Sequence, residues 1–570
     1  MRGWIRKMLL YWRRIKSIHW MKKKYWIIGI LLLAIVALPF FVRKGESEVV
    51  RDSGEKIIII TPHNEAVKYE FGIGFKDWYF RKTGKKVWID WRTLGSGSSD
   101  NIKFIDSRYN AAFKDYWQKV LKREWTQSIQ EAFSKREDHE RYPEGDLVNQ
   151  VYTAFVNSNV GCDMDIFFGG GDLDLIAQAK KGQLALLNIF EMHPEWFQEE
   201  VIPERLQWGG LLRDPGQKWI GTALSGFDLI YNRDVLKKLR IQDITQLDWP
   251  DLADERFFGT IALADPTVSG SFTRAFEVIL QYYMQKVYNV LKESGESEEE
   301  SRQRAIAEGW YKGMQLIQNI AANARYFTDS SIKAIMDVAS GNCAIAMTID
   351  FYGVIQIENL KKRDGVDRLG LLIPKGGTAV SPDPIAIFKG APHTELALAF
   401  VEYVLSVDGQ ELWDFKVGAP GGPKRYPLGR ASINKKLYSE EYLPYRTNSE
   451  LNYYANKSPL EYRPQWTAPL LKQMRFVIKV SCIDTHPELV TAWKAIIQAR
   501  KENRWEDAAK AFEVMQDLHA VDYAQITGSI QKTLDDGGRL DRVKLQGSLS
   551  KYFNDQYQLA EKIAKGEGNI

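Results

Sequence analysis

Blocks of apolar and polar positions change period along this chain, and each change marks an element. Residues 57–60 are four consecutive isoleucines, a run of strand length that predicts a strand buried on both faces. The run ends in Thr61-Pro62-His63-Asn64-Glu65, after which residues 67–83 carry amphipathic helical spacing and 85–91 read as a second strand. Strand, helix and strand in that order predict a parallel pair joined by a right-handed crossover. The scheme recurs. A strand over 162–168 leads through Gly169-Gly170-Gly171-Asp172 to a helical stretch over 176–187. A strand over 260–264 leads through Asp265-Pro266-Thr267-Val268-Ser269-Gly270-Ser271 to a long apolar helix beginning near Phe272. A helix over 332–341 precedes a buried strand over 343–349, whose tip is Asp350-Phe351-Tyr352-Gly353. Strands over 371–374 and 384–388 and a helix over 395–405 follow. Residues 219–232 read as two extended pieces joined at a polar bend, Ser225-Gly226. No strand pattern follows Pro427, and the spacing of Leu489, Trp493 and Ile497 predicts a helical extension starting at Pro444.

Three strands thus end in Gly/Ser turns, counting Leu94-Gly95-Ser96-Gly97-Ser98-Ser99. A strand that feeds a helix through such a turn leaves backbone N–H groups and hydroxyls pointing outward from the helix start. Ser and Gly are also ordinary capping residues, so one such turn says little. Several at strand ends predict an open α/β sheet with a crevice beyond the carboxyl ends of its strands. Candidate lining groups are Thr61, His63, Asn64 and Glu65 at the first tip, and Ser96, Ser98 and Ser99 at the second. Gly170, Gly171 and Asp172 follow, then Ser225 at the bend, Ser269, Gly270 and Ser271 in the cradle, and Asp350 and Tyr352 at the last tip. Residues 103–160 are charged and mostly helical. Their stripe of Tyr116, Trp117, Val120, Leu121 and Trp125 fits a core-facing helix elaborating the crossover better than a cofactor box.

Hydrophobic residues make up 45% of the 570 and charged ones 26%, the balance of a folded protein of two to four domains. The formal charge of +4 is uneven: residues 1–44 hold eleven Lys or Arg and no Asp or Glu, which leaves residues 45–570 at −7. An acidic body without a basic patch argues against a nucleic-acid partner. Residues 25–42 are apolar and uncharged, long enough to span a bilayer as a helix, with nine Lys or Arg before them. The positive-inside rule places the N-terminus in the cytoplasm and exports the rest. We read a retained anchor, because a cleavable signal peptide would need an unusually long basic region and a small-residue site that does not follow.

Cys162, Cys343 and Cys482 are odd in number and match no zinc spacing, and Cys343 lies in an apolar run that reads as a buried thiol. No His-Glu-x-x-His, Gly-x-Ser-x-Gly or Walker A pattern occurs, and nothing singles out a carboxylate pair, so an exported hydrolase is the weaker alternative.

Several stretches together resemble the extracellular solute-binding proteins of ATP-driven importers, in the two-lobed class that includes ferric-ion-binding periplasmic proteins. They are Thr61-Pro62-His63-Asn64-Glu65, residues 163–171, Tyr231-Asn232-Arg233-Asp234, Trp249-Pro250-Asp251-Leu252, residues 264–272, residues 339–352 and Phe400-Val401-Glu402-Tyr403-Val404-Leu405-Ser406-Val407-Asp408-Gly409-Gln410. The resemblance covers 57–435. It implies two α/β lobes joined by hinge strands, closing on a small-molecule solute that is handed to an ABC-type permease and its ATPase. It is not the pattern of an enzyme, and it calls for no cofactor. The implied plan is a basic cytoplasmic tail (1–24), transmembrane signal-anchor (25–42), linker (43–56), lobe 1 (57–225, with the helical insertion 103–160), lobe 2 (226–350), return to lobe 1 with closing helices (351–443) and helical C-terminal extension (444–570). The protein would then be single-pass in the cytoplasmic membrane with its body periplasmic or extracellular. Ferric-ion binders carry a Tyr-Tyr pair where this chain has Phe351-Tyr352, so one phenolate is missing, and iron would have to rely on His63, Glu65 and Tyr352. The Gly/Ser turns suit a phosphate, phosphonate, carboxylate or metal-bound carbonate, while Glu65, Asp172 and Asp350 suit a cation or a hydroxyl-rich ligand. An oxyanion-bearing solute is the reading we carry forward, with an anchored ligand sensor as the alternative role.

Overall fold

A computed structural model of the protein describes residues 54–94, 98–207, 210–242, 244, 246–365, 367–449, 451–455 and 460–567. The apolar stretch 25–42 and Ser96 lie outside the described residues, as does the side chain of Ser99. Among the described residues no helix is long and apolar enough to cross a membrane.

Strand β1 (Glu55–Ile60) pairs in parallel with β2 (Val87–Arg92) and with β3 (Ile166–Phe168). Its isoleucines divide between two cores: Ile57 and Ile59 join one cluster, Ile58 and Ile60 the other. That division explains why the strand is apolar at every position, since both faces of a parallel sheet are covered. One cover includes α1 (Glu65–Thr83), whose N-cap Asn64 accepts from Val67 N at 3.2 Å. The other is the insertion, with α2 (Ser98–Lys119), α3 (Gln127–Ser134) and α4 (Leu147–Val156) contributing Tyr109, Phe113, Trp117, Phe133 and Phe155. Of the stripe expected from the sequence, Trp117 is buried, Tyr116, Leu121 and Trp125 pack half-buried against this core, and Val120 is exposed.

The long strand β4 (Ile220–Asn232) belongs to two sheets. Its residues 220–226 pair antiparallel with β9 (Val380–Ile387), and its residues 227–232 pair antiparallel with β7 (Ile345–Ile349) and β8 (Leu369–Leu372). The second sheet continues from β7 to β5 (Ile261–Ala264) and β6 (Ala324–Thr328), all parallel. The first lobe thus runs β2-β1-β3-β9-β4 and the second β6-β5-β7-β4-β8, and a short β10 (Ala431–Ser432) pairs with the first-lobe part of β4. In each lobe the third parallel strand is followed by an antiparallel strand supplied by the other half of the chain.

Three expectations need adjusting. The bend at Ser225-Gly226 is absent: β4 stays extended and buried across the crossing, and Gly226 is needed because a Cβ there would lie 2.5 Å from the Tyr453 hydroxyl. The second crossing falls between β8 and β9, later than residue 351. There Thr378 Oγ1 donates to Phe227 O at 2.7 Å and accepts from Phe227 N at 3.0 Å, tying the two crossing segments together. The C-terminal region is no appendage. Leu451 and Tyr453 pack in the first lobe, whereas residues from Leu460 to Ala564 share one core with the second sheet. That core also holds the long helices α5 (Gly270–Glu293) and α6 (Glu298–Asn323). Cys162, Cys343 and Cys482 are all buried and free.

Candidate functional site

Two Gly/Ser turns from different lobes face each other. After β3 the chain turns through Gly169 (φ 96°) and Gly170 (φ 90°), left-handed values that suit glycine, into a helix spanning Asp172–Lys180. A Cβ on Gly170 would lie 3.2 Å from Ser98 Cβ at the start of α2, so the second and third predicted turns are neighbours. Across from them β5 feeds α5. Ser269 is its N-cap, accepting from Phe272 N at 3.4 Å, and so performs the ordinary capping role.

The facing turns are joined by Arg274, in the first turn of α5. One Nη donates to Asp172 Oδ1 at 2.9 Å and the other to Glu277 Oε2 at 2.6 Å, with a further contact to the Tyr462 hydroxyl. Glu277, fully buried, also accepts from Tyr462 at 2.9 Å and from Thr467 at 2.5 Å. Burial works against the Arg274 charge, but Glu277, Tyr462 and Asp172 outweigh it and hold the pKa well above the usual arginine value. Beside them, Arg475 donates through Nε to Thr273 Oγ1 at 3.0 Å. Burial raises the pKa of Asp174, in the opposing turn, while Ser98 opposes that rise.

A second group lies where the crossing strands meet the two helix starts. His63 Nε2 is 3.0 Å from Asp383 Oδ2, and Asp383 also pairs with Arg430. Burial, then Arg430, lowers the His63 pKa well below its ordinary value, so the ring is neutral and Nε2–H donates. The Arg430 guanidinium sits 3.7 Å over the ring of Phe351, and burial lowers its pKa to about 10. Asp350 opens the helix Asp350–Asp364 and accepts from the Tyr453 hydroxyl at 2.7 Å. Its carboxyl is raised to about 6 by burial. Burial and then Asp350 push Asp228, on β4, well above the carboxylate range, so this pair does not carry two full charges at neutral pH.

Of the residues expected to line a crevice, Ser98, Gly170, Gly171, Asp172, Ser269 and Gly270 are brought together by the turns and Arg274. His63, Ser225, Asp350 and Tyr352 belong to the second group: the buried Ser225 hydroxyl has no hydrogen-bond partner among the described residues, and the half-buried Tyr352 ring lies tilted by 48° against Phe351, ring centres 4.2 Å apart. Thr61 supports the tip from within, donating to Phe168 O at 2.6 Å. Asn64 caps α1, and Glu65 points to solvent with its side chain 89% exposed beside Lys68. His63 and Glu65 therefore end in different surroundings. Among the described residues no three His, Cys, Asp or Glu side chains are grouped to hold a metal ion. Ser271 is half-buried in the first turn of α5.

Arg274, Asp383, Arg430, Tyr453 and Arg475 carry no motif that marks them in the sequence as members of these groups. Only Arg274 had a local signal, because a cation in a helix's first turn opposes the macrodipole unless something nearby compensates it.

The sequence model for the family described as "Bacterial extracellular solute-binding protein" matches residues 199–443. An uncharacterized protein of Haemophilus influenzae is 27% identical over 248 residues, 44% of this chain and 60% of that one. The phosphoglycerate transport regulatory protein PgtC of Salmonella typhimurium is 25% identical over 229 residues, 40% of this chain and 49% of that one. The chain thus spans roughly half to three-fifths of the length of these relatives. Among solved structures, the periplasmic binding protein AfuA from Actinobacillus pleuropneumoniae, with fructose-6-phosphate bound, aligns at a TM-score of 0.40 and 18% identity over 67% of this chain and 86% of that one. Iron-bound HitA from Pseudomonas aeruginosa aligns at 0.42 and 18% over 74% and 98%. Residues 199–443, which carry the shared strand and the second sheet, are thus the part of the chain that is similar to the bacterial extracellular solute-binding proteins.

Proposed function

We propose that this protein is an extracytoplasmic solute-binding subunit, anchored by residues 25–42, that captures an oxyanion-bearing organic solute between its lobes and delivers it to an ABC-type permease. The observation that carries the reading is the meeting of the Gly169-Gly170-Gly171 turn with the start of α5, bridged by the Arg274–Asp172 ion pair. Two helix N-termini and a guanidinium directed at one place favour negative charge there. The shared strand β4 and the segment between β8 and β9 are the natural hinges, since both lobes hang on them. The likeness to a phosphoglycerate transport regulatory protein brings phosphorylated organic acids into the candidate class. Native mass spectrometry of the chain purified from its host, without refolding, tests the reading: a bound organic phosphate, phosphonate or carboxylate is the expected mass excess. A retained neutral sugar or bare metal ion would overturn it.

The word "regulatory" in that relative's name favours a second role, in which the same closure reports the solute to a partner instead of feeding a permease. Deleting the gene separates the two. A transport subunit abolishes uptake of the solute, whereas a sensor abolishes its induction and leaves uptake intact when the transporter is expressed independently.

A further inference from the structure

We propose that the C-terminal extension completes the solute site, with Arg475 joining Arg274 in a two-guanidinium receptor for a doubly charged phosphate or phosphonate end. The inference rests on the reading of the solute as an oxyanion and adds which end is recognised, and by which part of the chain.

Arg475 lies on the helix Leu471–Ile478, outside the stretch matched by the family. Met474, Val477 and Ile478 of that helix are fully buried in the second-lobe core, so the helix is fixed in place and Arg475 is delivered to one position. Its Nε donates to Thr273, in the first turn of α5. Among the described residues its Nη groups make no hydrogen bond, although the charges of Asp174 and Glu277 act on the guanidinium, so the fork that suits planar or tetrahedral oxyanions has no direct partner. Arg274, the next residue along α5 from Thr273, already shows the second half of the arrangement. It receives a carboxylate oxygen of Asp172 at 2.9 Å, while Glu277, Tyr462 and Thr467 fix it from behind. Tyr462 and Thr467 also come from the extension. Neither helix start is crowded at its glycine, and Gly270 is exposed to solvent. A Cβ on Gly270 would meet nothing within 4 Å, and one on Gly171 would meet only Asp174 Oδ2, at 3.9 Å. A monocarboxylate would satisfy one guanidinium, whereas a phosphate carries the charge and oxygens for both.

Calorimetry on the full chain in detergent, with phosphoglycerate and with glycerate as its phosphate-free counterpart, tests the proposal. Wild type is expected to prefer phosphoglycerate. Arg475→Gln should weaken that binding by about 10- to 100-fold, the range for losing hydrogen bonds to a charged group, and leave the weaker glycerate binding unchanged. Arg475→Lys keeps the charge without the fork and should fall between, which also covers the case in which the glutamine variant folds poorly. Lys479→Gln, one turn further along, should bind as wild type. If wild type binds phosphoglycerate and both Arg475 variants match it, Arg475 has no part in the site, although the oxyanion reading stands. If wild type binds neither phosphoglycerate nor inorganic phosphate and retains a neutral ligand from its host, both readings fall together.

Discussion

The first sheet meets the cleft with backbone, the second with side chains. In the first lobe the wall is the glycine turn 169–171, whose left-handed residues place a helix start against Ser98. In the second lobe it is the start of α5, where Arg274 is held by Glu277 and the Tyr462 hydroxyl, and Glu277 in turn accepts from Thr467. The strand plan is the same in both, so the difference lies in what was added around it. The insertion 103–160 thickens the first lobe's core, while the C-terminal region supplies Tyr462 and Thr467 beside Arg274 and Glu277.

If that contrast is right, damage to each wall should have a different character. The largest effect is expected at Glu277. Glu277→Gln removes one of the two carboxylates paired with Arg274 and leaves Asp172, so the loss is expected at about 3 kcal/mol, the low end for breaking a buried pair. Urea unfolding with peptide-resolved hydrogen exchange should place the loss in α5 and the C-terminal helices together. A loss confined to α5 would detach the extension from the wall.

Next comes Gly169→Ala. The added Cβ would lie 2.6 Å from the His63 ring at a φ of 96°, so overpacking and backbone strain together should cost about 1–3 kcal/mol. Exchange should rise around β3 and α1 and stay at the wild-type level in the second lobe.

Ser269→Ala is expected to be milder, at about 1 kcal/mol for a lost N-cap. It also serves as a control on the oxyanion reading, because its hydroxyl is occupied by Phe272 N and its removal should change solute affinity less than Arg475→Gln does.

The smallest effect is a pH slope at the crossing. Burial raises the Asp350 carboxyl to about 6 in the folded chain, above the ordinary 3.8, so the folded state binds the proton more tightly than the unfolded chain. Its stabilising contribution is complete below 3.8 and is lost as pH rises through about 6. The groups facing it are Asp228, Tyr453 and Arg430: Asp228 shifts in the same direction, Tyr453 donates to Asp350, and Arg430 opposes the rise. Calorimetry from pH 4 to 7 should show the melting temperature falling across that window in wild type, with a flatter profile for Asp350→Asn.

Much of the fold was legible because it is written locally. Four isoleucines in a row specify a strand covered on both faces, and glycine or serine after a strand announces a helix start. The placement of β9 between β3 and β4 was not legible, since nothing near residues 380–387 says which distant edge they join. Ser225-Gly226 was misread because a polar residue and a glycine look like a breaker. There the glycine makes room for Tyr453, more than two hundred residues later in the sequence. The site followed the same rule: turn residues were found from their own neighbourhood, while Arg430, Tyr453 and Arg475 lie in sequence with no local mark of what they touch.

The exchange of strands between the halves bears on how the protein is made. Residues 166–168 lack their antiparallel neighbour until residues 380–387 have emerged, and β7 depends on β4 from the earlier half. The strands of the second sheet all lie within residues 227–372 and can close from one contiguous piece, whereas the first sheet stays open until residues 380–387 have left the ribosome.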